Sequence, residues 1–536
     1  MSNAITTARS IVATLYASGV RTFVIAPGSR SAPLAYALAS LPPPARVIVR
    51  IDERAAAFTA LGAALASGEP TAVITTSGTA VANLHPALAE ADAAAIPLLA
   101  VTADRPRELW GTGANQTTWQ VGMFATVVRD TIHLDADATD IVTPVLKAVR
   151  QARGRDRGEG ELPAAAGPVH LNVSFTPPLH SASCAPLRVA TPKRSRHPVP
   201  AQVGEDLTTW LSQLPNPVVV AGDKADRLAG LRTAVVAAAI PVLAEPSANL
   251  LDLPVAIDHY HRRLQALQPD IGSVVVAGHP TLSRPITHLL SRTDLPHYVL
   301  TTNRHYLRLT PTATPRYLPP ADGNKPPVLS HPTSAWLDRW QRPLATTEDL
   351  DPLSSAAWQI FQCSHNRHLV IGASSVIRAL DRHAPRGGLV PIMWANRGLG
   401  GIDGTIATAW GIALQQETFV RVVCGDLTFL HDVASLNCGA TEVMPHLQII
   451  VLDDGGGSIF TQLEHGEIAR TNPHRAARYQ RYFTTEQRSD ITAVARGFGI
   501  TATRVDTAGE LDAALKDPPA GVSVLHVQIS SQYSAS

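Results

Sequence analysis

The sequence reads as an α/β protein of three doubly wound parallel-sheet domains, and three observations predict this. Short β-branched runs alternate with Ala- and Leu-rich helical stretches along the chain, the rhythm of parallel strands covered by helices. At 536 residues the chain is too long for one hydrophobic core. Two Pro-rich, mixed-polar stretches, Thr176 to Pro200 and Thr310 to Pro332, interrupt the rhythm and leave three blocks.

In the first block, strands are expected at Thr22–Ala26, Val47–Ile51, Thr71–Thr75, Pro97–Thr102 and Pro168–Val173, with helices starting near Ser31, Glu53 and Thr79. The segment up to Gly19 has an amphipathic helix pattern with Arg9 inside it, unlike the continuous apolar centre of a signal peptide. The second block has strands at Pro217–Ala221, Ser273–Ala277 and Tyr298–Thr301. The third has them at His368–Ile371, Leu389–Trp394, Val420–Cys424 and Leu447–Leu452. The expected domains are therefore 1–183, 184–345 and 346–536.

Composition excludes several function classes. The 45% hydrophobic and 17% charged fractions are those of a globular protein. A net charge of +1 supplies no field to recruit nucleic acid or an acidic membrane surface, so anion binding must be local. No apolar run approaches the roughly 20 residues that span a bilayer, which argues against membrane insertion. Cys184, Cys363, Cys424 and Cys438 are scattered and form no CxxC pair, against a disulfide framework or zinc site. A cytoplasmic location is expected.

The sharpest motif lies in the third block. The strand RVVC runs into Gly425-Asp426-Leu427-Thr428, and the strand LQIIVL runs into Asp453-Asp454-Gly455-Gly456-Gly457. Asp426 and Asp454 are 28 residues apart, about one βα unit, and each follows a strand, where open parallel sheets bind ligands. Two carboxylates on neighbouring strand ends suit Mg²⁺, which also takes phosphate oxygens and water. The glycines let the backbone approach a phosphate and offer a carbonyl ligand. Either half alone reads more simply as a helix cap or Asx turn; the pair at this spacing favours a metal–diphosphate site.

These residues resemble the motif of thiamine-diphosphate enzymes, written GDG…NN, in which the first Asp, the second polar residue and a carbonyl two residues on hold Mg²⁺ or Mn²⁺. Carried over, the metal ligands are Asp426, Asp454 and Gly456. Leu427 replaces the third-position Gly, and Asp453-Asp454 replaces Asn-Asn. The added charge at 454 either tightens metal binding or shifts metal preference. GDLTFLHD is closely similar to the same segment in the 2-succinyl-5-enolpyruvyl-6-hydroxy-3-cyclohexene-1-carboxylate (SEPHCHC) synthases of menaquinone biosynthesis. The resemblance implies a pyrimidine-binding first domain, a central domain and a diphosphate-binding third domain.

RIDERAAAF (50–58) matches the catalytic-Glu segment of those synthases. It implies that Glu53 hydrogen-bonds the cofactor's pyrimidine ring; by itself, Glu53 reads as a first-turn Glu favoured by the helix dipole. The resemblance implies further cofactor contacts from Ser77, Gly78, Thr79, Asn83, Ile402, Gly425, Leu427 and Ile459. Ile402 is the apolar wedge behind the bent cofactor. Ser77 or Thr79 also reads as a helix N-cap.

Five loop segments carry the closer match: APGSRSAPL (26–34), TADRPREL (102–109), GANQT (113–117), SSVIR (374–378) and NRGLGGIDG (396–404). They contribute Arg30, Arg105, Arg378 and Arg397, whose forked geometry suits substrates rich in carboxylates. One such arginine is easily a surface residue; four beside Gly, Pro or Asn in loops are not. The resemblance implies 2-oxoglutarate and isochorismate as substrates of a decarboxylating carboligation. Ser29, Arg30, Arg105, Asn115, Gln116, Ser374, Arg378 and Arg397 would bind them, with Gln116 near the reacting carbon. Ile459, Phe460 and Leu463 would form an apolar wall. It also implies a homodimer or dimer of dimers with interfacial sites. In the middle block the match thins to GHPTLSRP (278–285), and Arg284 and Arg304 there read as surface residues or an anion site. An acetolactate-type carboligase would commonly need one carboxylate site. A nucleotide-binding protein would carry GxGxxG after the first strand, where APGSRSAPL stands.

Overall fold

The computed structural model describes residues 3–154, 163–180, 185–187, 189, 202–303, 312–321, 333–344 and 350–529. Both expected domain boundaries, Cys184 and Arg304 lie outside the described residues.

Three parallel sheets organise the chain. The first comprises β1 (Thr22–Ile25), β2 (Arg46–Val49), β3 (Thr71–Thr75), β4 (Leu98–Asp104), β5 (Thr131–Leu134) and β6 (Pro168–Ser174), ordered β2-β1-β3-β4-β6-β5. The second comprises β7 (Pro217–Ala221), β8 (Val242–Ala244), β9 (Ser273–Ala277), β10 (His297–Thr301) and β11 (Thr314–Tyr317), ordered β11-β10-β9-β7-β8. The third comprises β12 (His368–Ile371), β13 (Ile392–Trp394), β14 (Val420–Gly425), β15 (Leu447–Asp453), β16 (Thr501–Val505) and β17 (Val522–Gln528), ordered β13-β12-β14-β15-β17-β16. The first and third sheets thus share one strand order, with ligand-binding crevices expected at the carboxyl ends beside the order reversals.

Several expectations are corrected. β5, β8, β11, β16 and β17 are not among the expected strands, and β11 lies inside the stretch read as a linker. The strand expected at Val47–Ile51 stops at Val49, where the chain bends through Ile51 and Asp52 into the helix opened by Glu53; the Arg50 side chain meets the carbonyls of Ser435 (3.2 Å) and Asn437 (2.7 Å). The strand expected from Leu389 starts at Ile392, after Pro391, which lacks an amide hydrogen.

The chain forms two compact units, the first comprising Met1–Arg194, Gly398–Phe419 and His431–Leu447, the second the remainder. In the first, the Ala-rich helix Glu53–Ser67 lies along the helix Thr405–Gln416, both largely buried. Gly404 meets Phe58 and Gly62 meets Thr408, so the helices run parallel. They touch backbone to backbone: a Cβ on Gly62 would sit 2.1 Å from the Thr408 carbonyl oxygen, and one on Gly411 2.0 Å from that of Thr59. In the second unit, the middle and third sheets share one apolar core that includes Val219, Val275, Trp340, Phe361, Leu369 and Ile450.

Candidate active site

The acidic motif is built at the carboxyl ends of two neighbouring strands of the second unit. β14 ends at Gly425 and Asp426 opens the helix Asp426–His431; β15 ends at Asp453, with Asp454 next. Asp426 is buried; desolvation, with the charges of Asp453 and Asp454, pushes its carboxyl up to about 6. Burial and the Asp453 charge likewise raise Asp454, whose carboxylate accepts the Ser458 hydroxyl. Asp453 points elsewhere. His526 holds it at 2.7 Å and lowers its pKa, and the Gly455 amide donates to it at 3.1 Å. The two members of the polar pair therefore differ in role: Asp453 is tied to β17, and Asp454 joins Asp426.

Gly456 has φ +113°, and a Cβ there would lie 2.1 Å from the Thr484 carbonyl oxygen. Only glycine fits, which leaves a carbonyl-bearing turn beside the two carboxylates. Burial and carboxylate repulsion raise both acids, a penalty that a bound divalent cation would relieve, so this donor set fits a hard divalent ion. Among the described residues no group of three His, Cys, Asp or Glu side chains is placed to hold a metal, so phosphate, carbonyl or water must complete the shell. Ile459 and Phe460 follow in the turn Ser458–Gln462, with the Phe460 ring 5.5 Å from Phe483, and half-buried Leu463 closes it. Leu427 is half-buried on the Asp426 helix.

In the first unit, Glu53 is the first residue of its helix, which Asp52 caps by accepting the Ala55 amide at 2.8 Å. Asn83 donates to the Glu53 carboxylate at 3.4 Å. The parallel helix pair places Glu53 and the turn bearing Ile402 at the same end. The turn is held by Glu90, which accepts the Gly398 and Leu399 amides, both at 2.7 Å. Asp432 caps the following helix through the Ile406 (2.7 Å) and Ala407 (3.0 Å) amides.

The N-cap expectation at Ser77 or Thr79 is corrected. Gly78, at φ +83°, is the cap, and Thr79 is the first residue of the short helix. Ser77 donates instead to the Gln116 carbonyl at 2.9 Å. Gln116, at φ +56°, returns its side-chain amide to the Ser77 carbonyl at 2.9 Å. Arg105 donates to both the Gln116 carbonyl (3.0 Å) and the Ser77 hydroxyl. Arg30 donates to the Phe175 carbonyl at 2.7 Å; burial and the Arg105 charge lower its pKa. Ser29 and Asn115 are exposed on the flanking loops. Beneath these groups runs a buried chain that sequence patterns did not signal. Asp104 accepts from Asn172 (2.8 Å), Asn172 from Gln120 (2.8 Å), and Gln120 from the Gly78 amide (3.0 Å).

The second unit carries the other two arginines. Arg378 donates to the carbonyl of Ser374 (2.8 Å), which adopts φ +111°; burial, then Arg397 and Arg382, lower its pKa. Arg397 is buried, and its Nε donates to the Thr281 hydroxyl at 3.1 Å. Arg284, by contrast, is a surface residue 3.7 Å from Glu464.

The chain matches two family descriptions: "Thiamine pyrophosphate enzyme, N-terminal TPP binding domain" over residues 5–123 and "Thiamine pyrophosphate enzyme, C-terminal TPP binding domain" over 371–527. It is 40% identical to a 2-succinyl-5-enolpyruvyl-6-hydroxy-3-cyclohexene-1-carboxylate synthase of Renibacterium salmoninarum, covering 97% of this chain and 93% of that one. A protein of the same name from Mycobacterium avium is 36% identical, covering 98% and 97%. The fold is similar to the thiamine diphosphate-dependent 4-hydroxybenzoylformate decarboxylase of Rhodococcus jostii, with TM-score 0.70, 17% identity and coverage of 98% and 100%. It is also similar to a benzoylformate decarboxylase from Polynucleobacter necessarius, with TM-score 0.69, 18% identity and coverage of 100% of each chain.

Proposed function

The chain belongs to the 2-succinyl-5-enolpyruvyl-6-hydroxy-3-cyclohexene-1-carboxylate synthase family of thiamine pyrophosphate enzymes, and from that premise we propose that it acts in menaquinone biosynthesis. It decarboxylates 2-oxoglutarate and joins the remaining succinyl unit to isochorismate, giving SEPHCHC and CO2. The observation that carries this reading is the arginine arrangement. Arg30 and Arg105 in one unit, and Arg378 and Arg397 in the other, are cation pairs with depressed members that carboxylates would neutralise.

Thiamine diphosphate supplies the electron sink for loss of CO2. Asp426, Asp454 and the Gly456 carbonyl hold Mg²⁺, or Mn²⁺, against its diphosphate. Glu53, steadied by Asn83, holds a proton at its pyrimidine ring nitrogen. Ser77, Gly78, Thr79 and Ile402 line the cofactor, with Gly425, Leu427 and Ile459 at the diphosphate end. Gln116, fixed against Ser77, stands near the reacting carbon, and Ser29, Asn115 and Ser374 add polar contacts to the substrates. Ile459, Phe460 and Leu463 exclude water, whose proton would divert the reaction to succinic semialdehyde. The first domain of one chain meets the third domain of its partner, so a homodimer, or a dimer of dimers, completes the sites. No described helix is long and apolar enough to cross a membrane, in keeping with the cytoplasmic location we propose.

Product analysis with 2-oxoglutarate and isochorismate tests the reading. Adduct formation should require both thiamine diphosphate and Mg²⁺. Turnover of pyruvate without turnover of 2-oxoglutarate would overturn it.

A further inference from the structure

We propose that Glu245 and Thr281 of the middle domain are positioning residues that aim the Arg397 guanidinium at a substrate carboxylate. This rests on the assignment of Arg397 to substrate binding. Glu245 is the first residue beyond β8 and is 1% exposed. Its Oε1 accepts the amides of Thr281 and Leu282, both at 2.8 Å. The same loop is pinned from its other side by backbone. A Cβ on Gly222 would fall 1.9 Å from the Pro280 nitrogen, and Gly278, at φ +70°, lies against the Asp223 carbonyl. Thr281 is thereby fixed, and its hydroxyl accepts from Arg397 through Nε at 3.1 Å and Nη2 at 2.5 Å.

One hydroxyl thus anchors one edge of the guanidinium and leaves its other donors for a ligand. The neutrality of the anchor matters. A carboxylate in direct contact would cancel the charge that a substrate carboxylate needs, whereas a hydroxyl orients the fork without neutralising it. Glu245 stands one link back, and burial with the nearby Asp381 pushes its carboxyl up to about 8. Burial thus favours its neutral form, in which Oε1 still accepts both amides. Glu245 Oε2 is buried without a hydrogen-bond partner, so the side chain's polar contacts are the two amides of the Thr281 loop.

The test compares Glu245→Ala, Glu245→Gln and Thr281→Val in the full-length holoenzyme with thiamine diphosphate and Mg²⁺. The readouts are kcat, KM for each substrate, melting temperature and calorimetric affinity for succinate as an unreactive dicarboxylate. Glu245→Ala and Thr281→Val should each raise the KM of one substrate about tenfold while kcat moves less than about threefold, the signature of a misaimed carboxylate clamp. Glu245→Gln, which can still accept both amides, should stay within about twofold of the parent. Added to Arg397→Ala, neither damaging substitution should raise KM further. Equal damage from Gln and Ala, a KM effect that persists without Arg397, or an unmoved KM would each overturn the relay. Should Glu245→Ala fail to fold, Thr281→Val decides alone, since it removes only the hydroxyl. Failure of the parent enzyme to form the adduct would count against the proposed reaction. Weaker succinate binding in Thr281→Val at an unchanged melting temperature would still support the relay.

Discussion

Asp426 and Glu53 carry different chemical demands, and substitution separates them. Asp426 is one of two carboxylates facing the site and is destabilised in its charged form. On the proposed metal assignment its removal would leave Mg²⁺ short of an octahedral set, so Asp426→Ala should abolish metal-dependent binding of thiamine diphosphate, measured by fluorescence titration. Unchanged affinity would refute the metal assignment. Glu53→Gln should keep that affinity and lose most turnover, because the amide can hydrogen-bond a ring but cannot share a proton with it. A rate within a few-fold of the parent, about 1 kcal/mol in barrier, would place the base elsewhere. At this scale motifs singled out Asp426, Asp454, Arg105 and Arg397, and the structure places Asp426 and Asp454 at the ends of neighbouring strands. The sequence hid Ser458, His526, Asp432 and the Asp104–Asn172–Gln120 chain. His526, Asn172 and Gln120 come from elements distant in sequence from the groups they hold, and Ser458, although four residues from Asp454, is a lone Ser in a turn; none has a periodic signature.

Burial helped some secondary-structure elements to be legible, although β8 and β17 are buried and were not foreseen. β3, β7 and β9, buried along their full length, match their expected limits. β11 and β16, partly exposed and edge-placed, were not foreseen, because half-solvated strands mix polar residues into the apolar run. Contacts between helices were less legible still. Nothing in ERAAAFTALGAALAS names the helix it lies against, yet Gly62 has no room for a side chain. Gly62→Leu should force the pair apart and cost about 1–3 kcal/mol or more, read as a lower melting temperature. A melting temperature unchanged in that variant would mean the helices separate easily. His170 in β6 gives a pH prediction. It is fully buried against Phe124 and Thr102, and burial drives its pKa from 6.5 down to about 3. The unfolded chain takes up a proton that the folded chain refuses. Stability is therefore full above about 6.5 and is lost as pH falls toward 3, by at most about 1.4 kcal/mol per pH unit. His170→Gln should flatten that acid slope in thermal melts; an identical slope would mean His170 does not contribute.

On the scale of the whole molecule, the proposed dimer makes a prediction that neither unit makes alone. Glu53→Gln chains and Asp426→Ala chains should each be inactive. Mixed under subunit exchange, each heterodimer would hold one doubly damaged site and one intact site, so activity should return. Mixed dimers that form and stay dead would mean that each site is assembled within one chain. The first unit has a different consequence, which concerns time. It is built from Met1–Arg194 together with Gly398–Phe419 and His431–Leu447, so it is discontinuous in the gene. During synthesis the Glu53–Ser67 helix leaves the ribosome long before its neighbour Thr405–Gln416 exists. At roughly 5–20 residues per second, the gap lasts on the order of tens of seconds, and over that interval an Ala-rich, glycine-notched surface has no cover. The core beneath the first sheet, drawn from Ala4 to Phe175, is complete early, so what waits on residues 405–416 is the cover of that one helix.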